Sequence, residues 1–232
     1  MAVYLTGDTH GSIEMNRLGY KHWPEGKRLT RTDYLIVLGD FGLIFYNEIT
    51  KEEIYLTRWL ETRPYTILFL DGNHENHPRL AALPEETMFG GPVGKVIDNV
   101  YHLKRGYVYV IEEKKFFVFG GASSIDRGSR TAGVTWWPEE VPSWEDTERG
   151  LISLEEHDYK IDFILAHTAP KTVVDMYARS ERFTVYDSDP TTKYLEHVCQ
   201  IATFSDFYCG HWHKDKSFGK YHLLYKNFVQ VI

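Results

Sequence analysis

The chain has 232 residues, 26 Lys plus Arg against 33 Asp plus Glu, and a formal net charge of −7. With 43% hydrophobic and 15% aromatic residues it can bury one substantial core but is short for two, so residues 1–232 are read as a single domain. The acidic balance does not draw a polyanion by long-range steering, which disfavours long nucleic acid as a partner, and no segment approaches the roughly 18 apolar residues of a membrane span.

Residues 3–5 are the first apolar run of strand length, and Gly7-Asp8-Thr9-His10-Gly11 follows it. Asp8 and His10, two positions apart, can project the same way from a strand end, while the glycines permit a sharp exit. An Asp at such a place also serves as a turn former or helix cap. Residues 34–38 repeat the pattern and end in Gly39-Asp40-Phe41-Gly42. Residues 50–61 have helical spacing, with Thr50 as the N-cap and acidic residues in the first turn. A third run, 66–70, leads into Asp71-Gly72-Asn73-His74-Glu75. Here Asn73 offers a neutral oxygen ligand and His74 an acid, whereas His77, just before Pro78, reads as a loop or helix-start residue.

Residues 107–112 and 115–119 are separated by a charged tight turn and read as a hairpin, which makes the sheet system mixed. The stretch from Gly120 to Pro142 is the least periodic and carries Ser123, Ser124, Asp126, Arg127, Arg130, Trp136 and Trp137. Long irregular loops of this kind tend to be functional. Residues 143–156, capped by Ser143, and 191–201 have helical spacing. Between them residues 163–166 end in His167-Thr168, and residues 204–209 end in Gly210-His211-Trp212-His213. Residues 221–225 and 228–232 look like a closing hairpin. Alternating strands and helices predict an α/β or layered αββα domain.

One strand-end His is ordinarily a satisfied core histidine. Five strand ends in one chain each presenting Asp, Asn or His ask for that explanation five times over. Ligands of α/β sheets collect at strand carboxyl ends, and a set of Asp, Asn and His without thiolate suits Mn, Fe, Zn or Co better than Ca or a structural zinc. Two such cations a few Å apart promote phosphoryl displacement, which points to phosphate ester hydrolysis.

The order Asp8-x-His10, Asp40, Asn73-His74, His167 and His211-x-His213 resembles the calcineurin-like metallophosphoesterase superfamily across nearly the whole chain. That resemblance implies a four-layer αββα sandwich of two mixed β-sheets flanked by helices, with two divalent metal ions at the sheet ends. It makes Asp8, His10, Asp40 and His213 the ligands of one metal and Asp40, Asn73, His167 and His211 those of the other. Mn2+ and iron (Fe2+ or Fe3+) head the candidates, with Zn2+, Ni2+ and Co2+ as alternatives. The implied catalytic residues are Asp40, which bridges the metals, and His74, which donates a proton to the leaving oxygen while a metal-bridging hydroxide attacks phosphorus. Glu75 and Asp71 are candidates to orient His74, or have capping roles.

The second motif lacks the Asp-Arg-Gly of the protein Ser/Thr phosphatases, and Gly39-Asp40-Phe41-Gly42 with the 120–127 stretch is similar to small bacterial and bacteriophage members. The resulting expectation is a phosphodiesterase or phosphatase acting on a small, nucleotide-like ester. A nuclease on short or single-stranded nucleic acid is the alternative, and a non-catalytic scaffold the third reading, opposed by the retention of His74 and every expected ligand. Arg127 and Arg130 pair with a substrate phosphate or with nearby acidic residues, and Trp136 and Trp137 stack a base or fill core. Cys199 and Cys209 form no disulfide framework or CxxC pair, and Met1–Thr6 has neither the basic start nor the apolar run of a signal peptide, so a soluble, unprocessed cytoplasmic protein is expected.

Overall fold

In the computed structural model, which describes residues 1–184 and 189–232, β-branched and aromatic runs pair into two mixed sheets. The first contains β1 (Val3–Thr6), β2 (Tyr34–Val37), β3 (Thr66–Phe69), β4 (Glu85–Met88), β5 (Gly91–Ile97), β6 (Val100–Leu103) and, at its far edge, β13 (Val229–Gln230). Its order is β13-β1-β2-β3-β6-β5-β4, with β1, β2, β3 and β6 parallel and the other strands antiparallel to their neighbours. The second contains β7 (Tyr107–Ile111), β8 (Lys114–Phe119), β9 (Phe163–Ala166), β10 (Asp206–Cys209), β11 (Lys216–Phe218) and β12 (Tyr221–Leu223), in the order β11-β12-β10-β9-β8-β7.

Side-chain alternation along these strands builds the layers. Leu35, Val37, Ile67 and Phe69 face outward onto Leu56 and Leu60 of α1 (Lys51–Glu61) and Leu80 of α2 (His77–Ala81). Their neighbours Ile36, Leu38, Leu68 and Leu70 turn the other way and meet Tyr109, Phe116, Val118, Leu165 and Tyr208 of the second sheet. The outer face of that sheet, through Phe117, Phe119, Ile164 and Phe207, packs on α3 (Trp144–Glu155), α4 (Lys171–Glu181) and α5 (Pro190–Ile201) by way of Leu154, Val173, Tyr177, Leu195 and Val198. The four-layer αββα arrangement follows from this alternation. No helix among the described residues is long and apolar enough to cross a membrane.

The helix caps fall where the sequence places them. Thr50 accepts from the Glu53 backbone N–H, and Ser143 and Asp146 form a reciprocal capping box. The hairpin of β7 and β8 is present, and Glu112 and Glu113 make its turn with φ of 48° and 63°.

The C-terminal hairpin is a correction. Residues 221–223 lie in the second sheet beside β10, while Val229 and Gln230 pair with β1 in the first. Asp215 carries the chain across by accepting from the backbone N–H groups of Tyr225 (2.8 Å), Lys226 (3.1 Å) and Asn227 (3.2 Å). Those bonds supply a side-chain partner for the donors that a hairpin ladder would otherwise satisfy.

Candidate metal centre

Strands β1, β2, β3, β9 and β10 run parallel within their sheets, so the loops leaving their carboxyl ends gather at one rim. Those loops turn sharply. His10, Asp40, His211 and His213 have φ of 45°, 47°, 66° and 48°, a left-handed conformation that costs a non-glycine residue roughly 1–2 kcal/mol. Strain of this kind persists only where the surroundings over-determine it, and here they do. The carbonyl of Asp40 accepts from the N–H groups of Thr9 (3.0 Å) and His10 (2.8 Å). Asp8 Oδ1 accepts from the His211 N–H at 2.8 Å, and Asp40 Oδ1 from the His74 N–H at 2.8 Å.

The loops bring all seven candidate ligands together. Donor atoms of Asp8, His10 and His213 lie within 4.8 Å of one another, as do those of Asp8, Asp40 and His167. His213 Nε2 is 3.0 Å from Asp8 Oδ2 and 2.9 Å from His10 Nε2. On the other side of Asp40, His167 Nε2 is 3.1 Å from Asn73 Oδ1 and 3.4 Å from Asp40 Oδ1. His211 borders this group, its ring edge-on to that of His167 at 4.9 Å between centroids.

The hydrogen bonds of His167 bear on what this second group can hold. Its Nδ1 lies 2.9 Å from the Leu38 carbonyl oxygen, which only accepts, so the ring proton sits on Nδ1. Nε2 is therefore a bare lone pair facing two oxygen lone pairs. Three such atoms converge, an arrangement that a proton or a metal cation relieves, and a ring N–H held by a backbone carbonyl is the usual support of a metal-binding imidazole. The residues fit a divalent cation.

The electrostatics agree. Burial, and then the charge of Asp8, push the Asp40 carboxyl well above the usual carboxylate range. Burial also raises the Asp8 carboxyl, but the His213 hydrogen bond and the fields of His167 and His10 outweigh it and hold the group at about 2. His213 is shifted upward, chiefly by its hydrogen bond to Asp8, whereas burial shifts His10 downward and brings His211 to about 3. A cation between the two buried carboxyl groups would offset the burial and the Asp8 repulsion that raise Asp40.

A family model described as calcineurin-like phosphoesterase matches residues 1–215. The chain belongs to that family. This calcineurin-like phosphoesterase is a metal-dependent phosphoric ester hydrolase. No curated protein matches its sequence.

His74 borders the cluster, stacked on Phe45 at 6.2 Å and edge-on to His10 at 5.1 Å between centroids. Its Nε2 accepts from Arg130 at 3.0 Å, and Arg130 is also paired with Asp126 at 2.8 Å. Burial, and then the Arg130 charge, lower the His74 imidazole to about 3. Arg127 sits on an exposed turn, and among the described residues no hydrogen bond or ion pair joins it to the cluster. Trp137 is buried and packs on Phe45 at 5.5 Å, so it fills core behind His74. Trp136 is half-buried.

Neither Glu75 nor Asp71 orients the His74 ring. Glu75 accepts from the backbone N–H groups of Gly42 (3.1 Å) and Gly72 (2.6 Å), tying the loops after β2 and β3 together. Burial, and then Asp40, push its carboxyl up to about 8. Asp71 pairs with Arg105 and with His102 and His77 on the opposite side of the loop. Arg17, which the sequence reading passed over, is buried and donates to the carbonyls of Gly7, Asp8 and Tyr225. Its local sequence carries no motif, and its role comes from the crossing of the C-terminal segment.

Gly72 has no room for a side chain. A Cβ there would lie 2.5 Å from the Asp40 backbone nitrogen, 2.7 Å from His167 Nε2, and against Asp40 Oδ1. Gly72→Ala is expected to cost about 1–3 kcal/mol of stability and to weaken Mn2+ binding, read by denaturant unfolding and by Mn2+ titration. Wild-type Mn2+ affinity in the variant would contradict the packing argument.

Proposed function

We propose that the chain hydrolyses phosphodiester or phosphomonoester bonds of a small, nucleotide-like substrate at a centre built for two cations. Asp8, His10, Asp40 and His213 would hold one, and Asp40, Asn73, His167 and His211 the other, with Asp40 shared. The carrying observation is the bare Nε2 of His167 facing Asn73 Oδ1 and Asp40 Oδ1. Mn2+ or iron, or Zn2+, Ni2+ or Co2+ in their place, would supply Lewis-acid stabilisation of phosphate oxygens and an acidified water.

The chain's own groups do the rest. Asp40 and Asp8 supply carboxyl oxygens between the imidazoles, Arg130 lies where it can turn from His74 to a substrate phosphate, and His74, once Arg130 has left its Nε2, would carry a proton to the leaving oxygen. Arg127, on the same loop, is a second candidate for the phosphate. The contact of Arg130, on the loop over residues 120–142, with His74 supports a role for this arginine in holding a phosphate. The net charge of −7 supports a small substrate over long nucleic acid.

The test is hydrolysis by protein stripped of metal and reloaded with Mn2+, on bis-p-nitrophenyl phosphate and p-nitrophenyl phosphate side by side. Mn2+-dependent cleavage is expected, and the better substrate assigns diesterase or phosphatase. Absence of cleavage of both at full Mn2+ occupancy would sink the small-ester reading.

A further inference from the structure

The irregular loop is joined to the cation site by a chain of hydrogen bonds whose direction is fixed at every step. Glu140 is fully buried, and Ser124 is 4% exposed. Glu140 Oε1 accepts from the Ser124 backbone N–H at 2.7 Å, and Oε2 accepts from the Ser124 hydroxyl at 2.7 Å. A carboxylate that receives donors on both oxygens is an acceptor only, so the hydroxyl proton of Ser124 is committed to it. The lone pair left on Ser124 Oγ then accepts from Asn73 Nδ2 at 3.1 Å. With its NH2 held there, Asn73 turns its oxygen to His167 Nε2, 3.1 Å away. The loop backbone is shaped to this carboxylate's residue. Gly121 has φ of 85°, and a Cβ on it would meet the Glu140 carbonyl at 2.5 Å.

We propose that Glu140 and Ser124 are a positioning relay that locks the Asn73 amide with its oxygen towards the second cation, which makes the 120–142 loop part of the assembly of the metal centre. The inference rests on the two-cation reading above. An asparagine amide has nearly the same shape in both orientations, and only one of them offers an oxygen. Without an external constraint the NH2 can face the cation instead, which costs a ligand and adds a repelling donor. The relay excludes that orientation before the cation arrives.

Glu140→Gln tests this with almost no change of shape. The Gln oxygen can still accept from the Ser124 N–H, but its NH2 then donates to Ser124 Oγ. The Ser124 hydroxyl proton loses its buried acceptor and is freed to turn towards Asn73, where only a flipped amide offers it an oxygen. The readout is calorimetric Mn2+ titration of the metal-free chain, with thermal unfolding of the metal-free proteins alongside. Wild type is expected to take up two Mn2+ per chain. Glu140→Gln should weaken one of the two binding steps by about 10–100-fold, the range for losing a group that orients a ligand, and leave the other step unchanged.

Ser124→Ala removes the middle of the relay with the loss of a single oxygen and should weaken the same step. Equal weakening of both steps, or a variant whose two steps match wild type, overturns the relay. A wild-type chain that takes up fewer than two Mn2+ overturns the two-cation reading itself. The two failures therefore look different.

Discussion

Asp40→Ala is expected to lower hydrolysis by about 10²–10³-fold, the order lost when one preorganised electrostatic element of an active site is removed, and to erase the stabilisation that Mn2+ confers. Asp40 is 1% exposed. Oδ1 lies 3.4 Å from His167 Nε2, and Oδ2 lies 3.8 Å from His10 Nδ1, so the carboxylate stands between the two groups of ligands. Its removal takes a ligand from both at once and unpairs the His74 N–H bonded to Oδ1 at 2.8 Å.

The second readout follows from linkage. A ligand that binds only the folded chain stabilises it by about 2.7 kcal/mol at a concentration 100 times its dissociation constant. Thermal unfolding of wild type with and without Mn2+ should show that gain, and Asp40→Ala should show almost none. A variant that keeps the Mn2+-dependent rise would remove Asp40 from the centre.

The gathering of the candidate ligands was legible because they obey one local rule. Asp8, Asp40, Asn73, His167 and His211 each stand just beyond a short apolar strand, and parallel strands bring such positions to one rim whatever their order in the sheet. The support of the site obeys no such rule. Glu75 ties Gly42 to Gly72, Arg17 reaches Tyr225, and Glu140 reaches Asn73 through Ser124, all contacts made by the tertiary fold between segments with no shared pattern.

Fold elements divided in the same way. β4 is an exposed edge strand carrying Glu85, Glu86 and Thr87, so it has no apolar alternation to read. β5 is interrupted by Gly91, Pro92 and Gly94, and β6 is buried along its length but includes His102, held by Asp71. Helix α4 buries Val173, Val174, Tyr177 and Ala178 at helical spacing, yet it starts after Pro170 without a side-chain cap, and the missing start signal hid it. The last strand was misassigned because pairing partners are chosen by the sheets already formed. β1 offered a free edge, and Asp215 supplied the turn.

His74→Ala is expected to separate proton transfer from metal binding. The imidazole lies close enough to His10 and Asp40 to share a cation with them, with donor atoms within 4.8 Å. Its Nε2, however, accepts from the Arg130 guanidinium at 3.0 Å, an occupant that keeps a second cation away from that nitrogen. If His74 serves the leaving group, the variant keeps its full complement of Mn2+, and its loss of rate depends on what leaves. An alkoxide leaving oxygen needs a proton as the bond to phosphorus breaks, so cleavage of an alkyl phosphodiester should fall by about 10²–10⁴-fold, the contribution of a positioned acid. A p-nitrophenolate is stable as an anion and needs little protonation, so cleavage of p-nitrophenyl esters should fall by a much smaller factor. Side-by-side kcat values on the two leaving groups, with Mn2+ content measured in the same preparations, decide the matter. Equal losses on both would assign His74 to binding or orientation of the phosphate, and loss of Mn2+ would make it a ligand.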